Sequence, residues 1–173
     1  MRLPLLAAVL LASPAAAGDW QEMSAGQLIY AAGDWMAICD TGEPYGCTAS
    51  VEAGDDAGGP GRVLVLWAEG GDEGFGMTVE ADRTPSPLPE TITVSVDGDA
   101  EVLRNSADFF PVIEGAETGA AEIGEPLLLV DLTERMAAGS EMVWDWDAGR
   151  KTVPLAGFAE VFAAVEARRQ EQF

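Results

Sequence analysis

Histidine is absent from the 173 residues, and with it goes the commonest general base and transition-metal ligand. Ser-His-Asp triads, Cys-His pairs and histidine-bearing zinc sites are thereby excluded. Basic residues are scarce, 9 against 30 acidic ones, for a formal net charge of −21. A chain of that sign repels nucleic acid and anionic lipid, so neither is expected as a partner. No Gly-rich phosphate loop, nucleotide fingerprint or EF-hand loop is present, and no cofactor is expected. Past the first residues, no apolar run approaches the roughly 20 residues that a membrane-spanning helix needs. Cysteine occurs only at Cys39 and Cys47.

The N-terminus is the most readable stretch. Met1 to Ala17 has a charged start at Arg2, an apolar run from Leu3 to Ala12 and a small-residue exit at Ala15-Ala16-Ala17, the order read by a signal peptidase. This predicts cleavage at about Ala17 and a periplasmic or extracellular chain that begins near Gly18 and is one charge more negative once Arg2 is lost. No cysteine follows the cut to accept a lipid. Export also decides how the two cysteines read: in an oxidising compartment they default to a disulfide, here one closing a short loop. By the chain-entropy estimate such a bridge contributes about 2 to 3 kcal/mol. A redox role is the sharper alternative, but the spacing is not Cys-x-x-Cys and no histidine or lysine lies close in sequence to lower a thiol pKa.

With 48% hydrophobic residues, a chain of this length buries the core of one domain. Residues 18–32 lack a sustained period and read as a mobile arm or short helix, leaving 33–173 as a single domain. Gly18-Asp19-Trp20 echoes Gly33-Asp34-Trp35, but nothing after either tripeptide repeats. Trp35, Ala37 and Cys39 fall on one face of an extended strand; a tryptophan beside a disulfide would plug the core. Thr41 to Tyr45 holds the turn residues that return Cys47 to Ala53 as a hairpin arm. Gly54 to Gly61 reads as a surface loop. Val63 to Ala68 reads as a central strand, Gly70 to Gly74 as a hairpin connection, and Phe75, Met77 and Val79 mark a half-buried strand. Pro85, Pro87 and Pro89 interrupt any ladder and predict an extended crossover.

Ile92, Val94 and Val96 alternate cleanly into Asp97-Gly98, the strongest short hairpin signal in the chain, with Ala100 to Leu103 as the returning strand. Phe109, Phe110, Val112 and Ile113 could cap the core, but Asp108 to Gly124 shows no pattern that places them. Pro126 to Ala138 reads as a helix, with Pro126 at its first position, Leu128, Leu132 and Met136 on one face and Gly139 as C-cap. A buried strand over Leu127 to Leu132 is the competing reading. A strand through Met142, Trp144 and Trp146 turns at Asp147-Ala148-Gly149 into Lys151 to Leu155. A final helix carries Phe158, Phe162 and Val165 at helical spacing, with Arg168 and Arg169 near its C-terminus. Short strands with turn signals between them, plus one or two helices, predict a mainly β, antiparallel sandwich with peripheral helices.

Three groups of residues carry candidate chemistry. Asp97 with Asp99, or Asp145 with Asp147, supply oxygen of the kind calcium prefers, but each cluster is short and turn geometry explains both. Trp144 and Trp146 offer either a sugar-stacking platform or core packing. Carboxylate pairs could hydrolyse a saccharide or peptide, though with 30 acidic residues no pair stands out.

The order Gly33-Asp34-Trp35, Cys39, Cys47, Val96-Asp97-Gly98 and Val153-Pro154-Leu155-Ala156-Gly157-Phe158 resembles the invasion-associated locus B family of exported bacterial proteins, over about Gly33 to Val165. A second, uncharacterised exported bacterial family shares a similar Trp and Cys-x-Cys-like opening. The resemblance implies a periplasmic or envelope-associated immunoglobulin-like sandwich not known to be an enzyme, with some members linked to host-cell entry. Its members often carry a further cysteine pair before the C-terminal helix, which this chain lacks. Neither family supplies catalytic residues, and only Cys39 and Cys47 carry over, as a structural disulfide. The expected function is a non-enzymatic exported protein binding another protein or an envelope component; the alternative is a carboxylate-dependent hydrolase of an extracytoplasmic saccharide or peptide.

Overall fold

Alternation of buried and half-buried residues marks the strands Trp35–Asp40 and Cys47–Ala53, at the middle of the larger of two antiparallel sheets. The structure, a computed structural model, describes residues 18–23, 26–42, 46–53, 61–67, 75–81, 89–105, 107–111, 120–146 and 149–172. Eight strands form the larger sheet: β1 (Gln21–Met23), β2 (Gln27–Ala32), β3 (Trp35–Asp40), β4 (Cys47–Ala53), β5 (Gly61–Trp67), β6 (Phe75–Ala81), β9 (Phe109–Pro111) and β10 (Ala120–Ile123). Their spatial order is β1-β2-β3-β4-β5-β6-β10-β9. In β3 and β4, Trp35, Ala37, Cys39, Cys47, Ala49 and Val51 are buried while their neighbours Met36, Ile38, Thr48 and Ser50 are half-covered, as period-two side chains on one packed face require.

The smaller sheet consists of β7 (Thr91–Val96), β8 (Asp99–Arg104), β11 (Glu141–Trp146) and β12 (Gly149–Pro154), in the order β12-β11-β7-β8. The β7–β8 turn is Asp97-Gly98, as its sequence predicts, with φ of 49° and 86°. Both central residues are left-handed, the requirement of the hairpin turn that matches strand twist. Helix α1 (Pro126–Ala138) and helix α2 (Phe158–Gln172) complete the described elements. The Glu125 carboxylate caps α1 by accepting from the Leu128 amide at 2.6 Å, and the competing strand reading of Leu127 to Leu132 does not form.

The chain is thus mainly β and antiparallel, with a C-terminal helix. The connectivity is nonetheless a meander, because β1 to β6 follow one another in a single sheet; an immunoglobulin domain alternates its strands between sheets by Greek-key links. Each helix packs one face on the sheets and leaves the other outward. Leu132 and Met136 of α1 and Phe158, Val161 and Val165 of α2 are at most 1% exposed and belong to one core cluster with both sheets. On α2 the buried stripe runs through Val161, and Phe162 is half-buried.

The segment 18–32, expected as an arm or short helix, instead supplies β1 and β2, with β2 paired along its length to β3. Its alternation was blurred because Ile29, on the face opposite Tyr30, is itself half-covered. Phe109 is fully buried in β9, which sets part of the unplaced 108–124 stretch against β10. Gly139 follows α1 in extended backbone at φ −93°, so left-handed freedom is not why glycine stands there. An added Cβ would come within 2.5 Å of Val96 Cγ1, and close packing is the reason. The readings made for Met1 to Ala17, Glu43 to Tyr45, 54–60, 68–74, Pro85 and Pro87, Val112 and Ile113, and Asp147 and Ala148, together with the Phe110 side chain, lie outside the described residues.

Candidate functional site

Two of the segments on which the family resemblance rests, more than a hundred residues apart in sequence, meet in space. Trp35 opens β3 and donates its indole Nε1–H to the Pro154 carbonyl at 2.9 Å. Its ring meets Phe158 edge-on, with centroids 4.7 Å apart and planes at 62°. Beside it the Asp34 amide donates to the Ala156 carbonyl at 2.9 Å. Gly33 and Gly157 have φ of 55° and 90° and press backbone to backbone: a Cβ on Gly33 would collide with the Ala156 carbonyl, and one on Gly157 with that of Ala32. Gly-Asp-Trp and Pro-Leu-Ala-Gly-Phe are two halves of one crossing between the β2–β3 turn and the start of α2. Trp35 shares the buried face of β3 with Cys39, but three strand residues lie between them, a separation of about 13 Å along the strand, so the tryptophan plugs this crossing and not the disulfide.

Cys39 and Cys47 face each other directly in the β3–β4 register and are joined by a disulfide, with Cα atoms 4.1 Å apart. They are 0% and 6% exposed. Thiol–disulfide exchange needs an attacking thiolate to reach a sulfur, and this bond is closed to it. The bridge therefore pins the hairpin mechanically.

Trp144 and Trp146 are 1% and 8% exposed, so they are core and not a stacking platform. A third residue joins them that sequence reasoning passed over. Lys151, the only lysine in the chain, lies opposite Trp144 in the β11–β12 register and is fully buried. Its Nζ and the indole Nε1 atoms of Trp144 and Trp146 have no hydrogen-bond partner among the described residues. The signal was there in the alternation: Lys151 falls in step with the buried Val153 and Leu155, while Arg150 points outward. Leaving such donors unpaired in a core is costly.

The Asp97–Asp99 pair serves structure. Asp97 accepts from the Ser140 hydroxyl at 2.7 Å, the Glu141 amide at 3.0 Å and the Ser140 amide at 3.1 Å. The Ser140 side-chain hydrogen bond first, then the two amides, hold its carboxyl below the usual range. The β7–β8 turn is thus tied to the α1–β11 junction. Asp99 lies 3.5 Å from Arg135 of α1, and Asp145 is exposed, its partner Asp147 being outside the described residues. No three of His, Cys, Asp and Glu gather to hold a metal among the described residues.

One further carboxylate is engaged across the fold. Glu160 of α2 accepts from the Tyr30 hydroxyl at 2.9 Å and from the Gly18 nitrogen at 3.2 Å. Burial, then the hydrogen bond to Glu160 and its negative charge, push the Tyr30 phenol up. The large apolar side chains most exposed among the described residues are Met23 of β1, Val102 of β8, and Leu127 and Val130, one turn apart on α1. No described helix is long and apolar enough to cross a membrane. Comparison of the chain with family models, with curated proteins and with solved structures gives no match.

Proposed function

We propose that this chain is a non-enzymatic exported protein of the bacterial envelope that binds another protein or an envelope component, as its resemblance to the invasion-associated locus B family suggests. The observation that carries the reading is the Cys39–Cys47 bridge, a bond that persists in oxidising compartments and so agrees with a leader at Met1 to Ala17. The roles found for the other candidates support the non-enzymatic part. Asp97 is spent on Ser140 and Glu141, the two tryptophans on the core, and the family-like motifs on the Gly33–Gly157 crossing. Each is a scaffold task.

The test is capture from envelope extract with the disulfide-bonded protein as bait and an unrelated protein of matched charge as control. Reproducible enrichment of one component over the control is expected. Enrichment of nothing would end the binding reading, and turnover of an envelope saccharide or peptide by the purified protein would replace it with the hydrolase.

A further inference from the structure

Gly18, Tyr30 and Glu160 form a seat for an amine at the point where the leader is expected to be cut. The Gly18 nitrogen and the Tyr30 hydroxyl converge on the same oxygen, Oε1 of Glu160, at 3.2 Å and 2.9 Å. Trp20 flanks the seat, its ring centroid 5.3 Å from that of Tyr30 and 5.6 Å from Arg168 Cζ. A Cβ on residue 18 would lie 2.6 Å from the Ala31 carbonyl oxygen, so the seat admits glycine alone. Processing does not ask for that glycine, because a signal peptidase reads the small residues before the cut. The seat does.

We propose that hydrolysis of the Ala17–Gly18 bond creates the ligand of this site: the α-ammonium group of Gly18, held by Glu160 with Tyr30 as the second donor, so that removing the leader completes the fold. The inference rests on the export reading. In the step, water is consumed, the Ala17 carboxylate departs with the leader, and the freed Gly18 amine takes up a proton. An amide with one N–H becomes a cation with three, so the contact with the Glu160 carboxylate gains an ion pair on top of its hydrogen bond. The ionisable groups around the amine are Glu160 and Arg168 from α2, Tyr30 from β2 and Asp19 beside it.

The experiment begins with the full chain, expressed with its leader in a bacterium, recovered from the periplasm and weighed intact; a mass starting at Gly18 is expected. The folded protein is then acetylated. Lys151, the only lysine, is fully buried, so the reagent reports on the Gly18 amine. Acetylation is expected to proceed several-fold more slowly in the wild type than in Glu160→Gln and to lower the wild-type Tm by roughly 2 to 4 °C, a loss absent from Glu160→Gln. Should that variant fail to fold, Tyr30→Phe serves, with a smaller rise in reactivity. A retained leader overturns both the export reading and the docking. A start elsewhere than Gly18 overturns the docking and leaves export standing. A start at Gly18 with equal reactivity and no Tm loss overturns the docking alone.

Discussion

Gly98 and Gly157 share a backbone conformation, φ 86° and 90°, but they stand in different surroundings. Around Gly98 nothing lies within 4 Å of where a Cβ would point, whereas at Gly157 that position is taken by the Ala32 carbonyl and the Gly33 nitrogen. The first glycine serves its own turn. The second serves a crossing of two chain segments, where the absence of a side chain matters as much as the dihedral. An Asp-Gly pair between alternating strands announces the first role in the sequence; nothing near residue 157 announces that Gly33 is its partner.

Substituting alanine separates the two. Gly98→Ala meets only the left-handed penalty of about 1 to 2 kcal/mol, while Gly157→Ala adds an overlap of two backbones and should exceed about 4 kcal/mol, the range of exceptional losses. Urea denaturation of both variants measures this, and equal losses would mean that the crossing opens freely. Removing the bridge by Cys39→Ala with Cys47→Ala loosens the hairpin beside the crossing; the expected loss is about 2 to 3 kcal/mol, matched by wild type reduced while unfolded and refolded under reductant. Trp35→Phe keeps a ring against Phe158 but strips the Pro154 carbonyl of its donor, an expected loss of about 1 to 2 kcal/mol in the same titration. Lys151→Met should act in the opposite direction, raising stability by about 1 kcal/mol or more, because it replaces a buried Nζ with no partner among the described residues by an apolar chain of similar length. A loss there would show that Lys151 finds an acceptor in solution.

The smallest effect returns to the local turn. Asp97 has a folded pKa below its ordinary value, so its contribution is fully present above the ordinary carboxyl range and is lost as pH falls through the folded value. In Asp97→Asn the stability profile should flatten on the acid side, read as thermal midpoints between about pH 6 and pH 2. An unchanged slope would remove the Ser140–Glu141 tie from the account.

The local elements were legible because their cues are local. Strands β3, β4 and β7, the Asp97-Gly98 turn and the bounds of α1 from Pro126 to Ala138 follow from alternation, turn chemistry and a proline at the first helical position. The candidate site was less legible. The disulfide could be read from two cysteines and the expectation of export, but the meeting of Gly-Asp-Trp with Pro-Leu-Ala-Gly-Phe could not, since each motif is short and its meaning lies in the other. Strand β2 escaped because its two faces are both partly covered, which erases the alternation a strand otherwise shows. Lys151 escaped because its charge suggested solvent, while its register with Trp144 placed it inside.

By itself, the sequence determined the mainly β class, the disulfide pair and the exclusion of histidine chemistry, because composition and short-period patterning act through neighbours along the chain. The tertiary structure alone decided that Gln21–Met23 and Gln27–Ala32 are strands, that Gly33 meets Gly157 and that Gly18 reaches Glu160. These depend on contacts between segments as many as 142 residues apart, which packing selects and local preference does not encode.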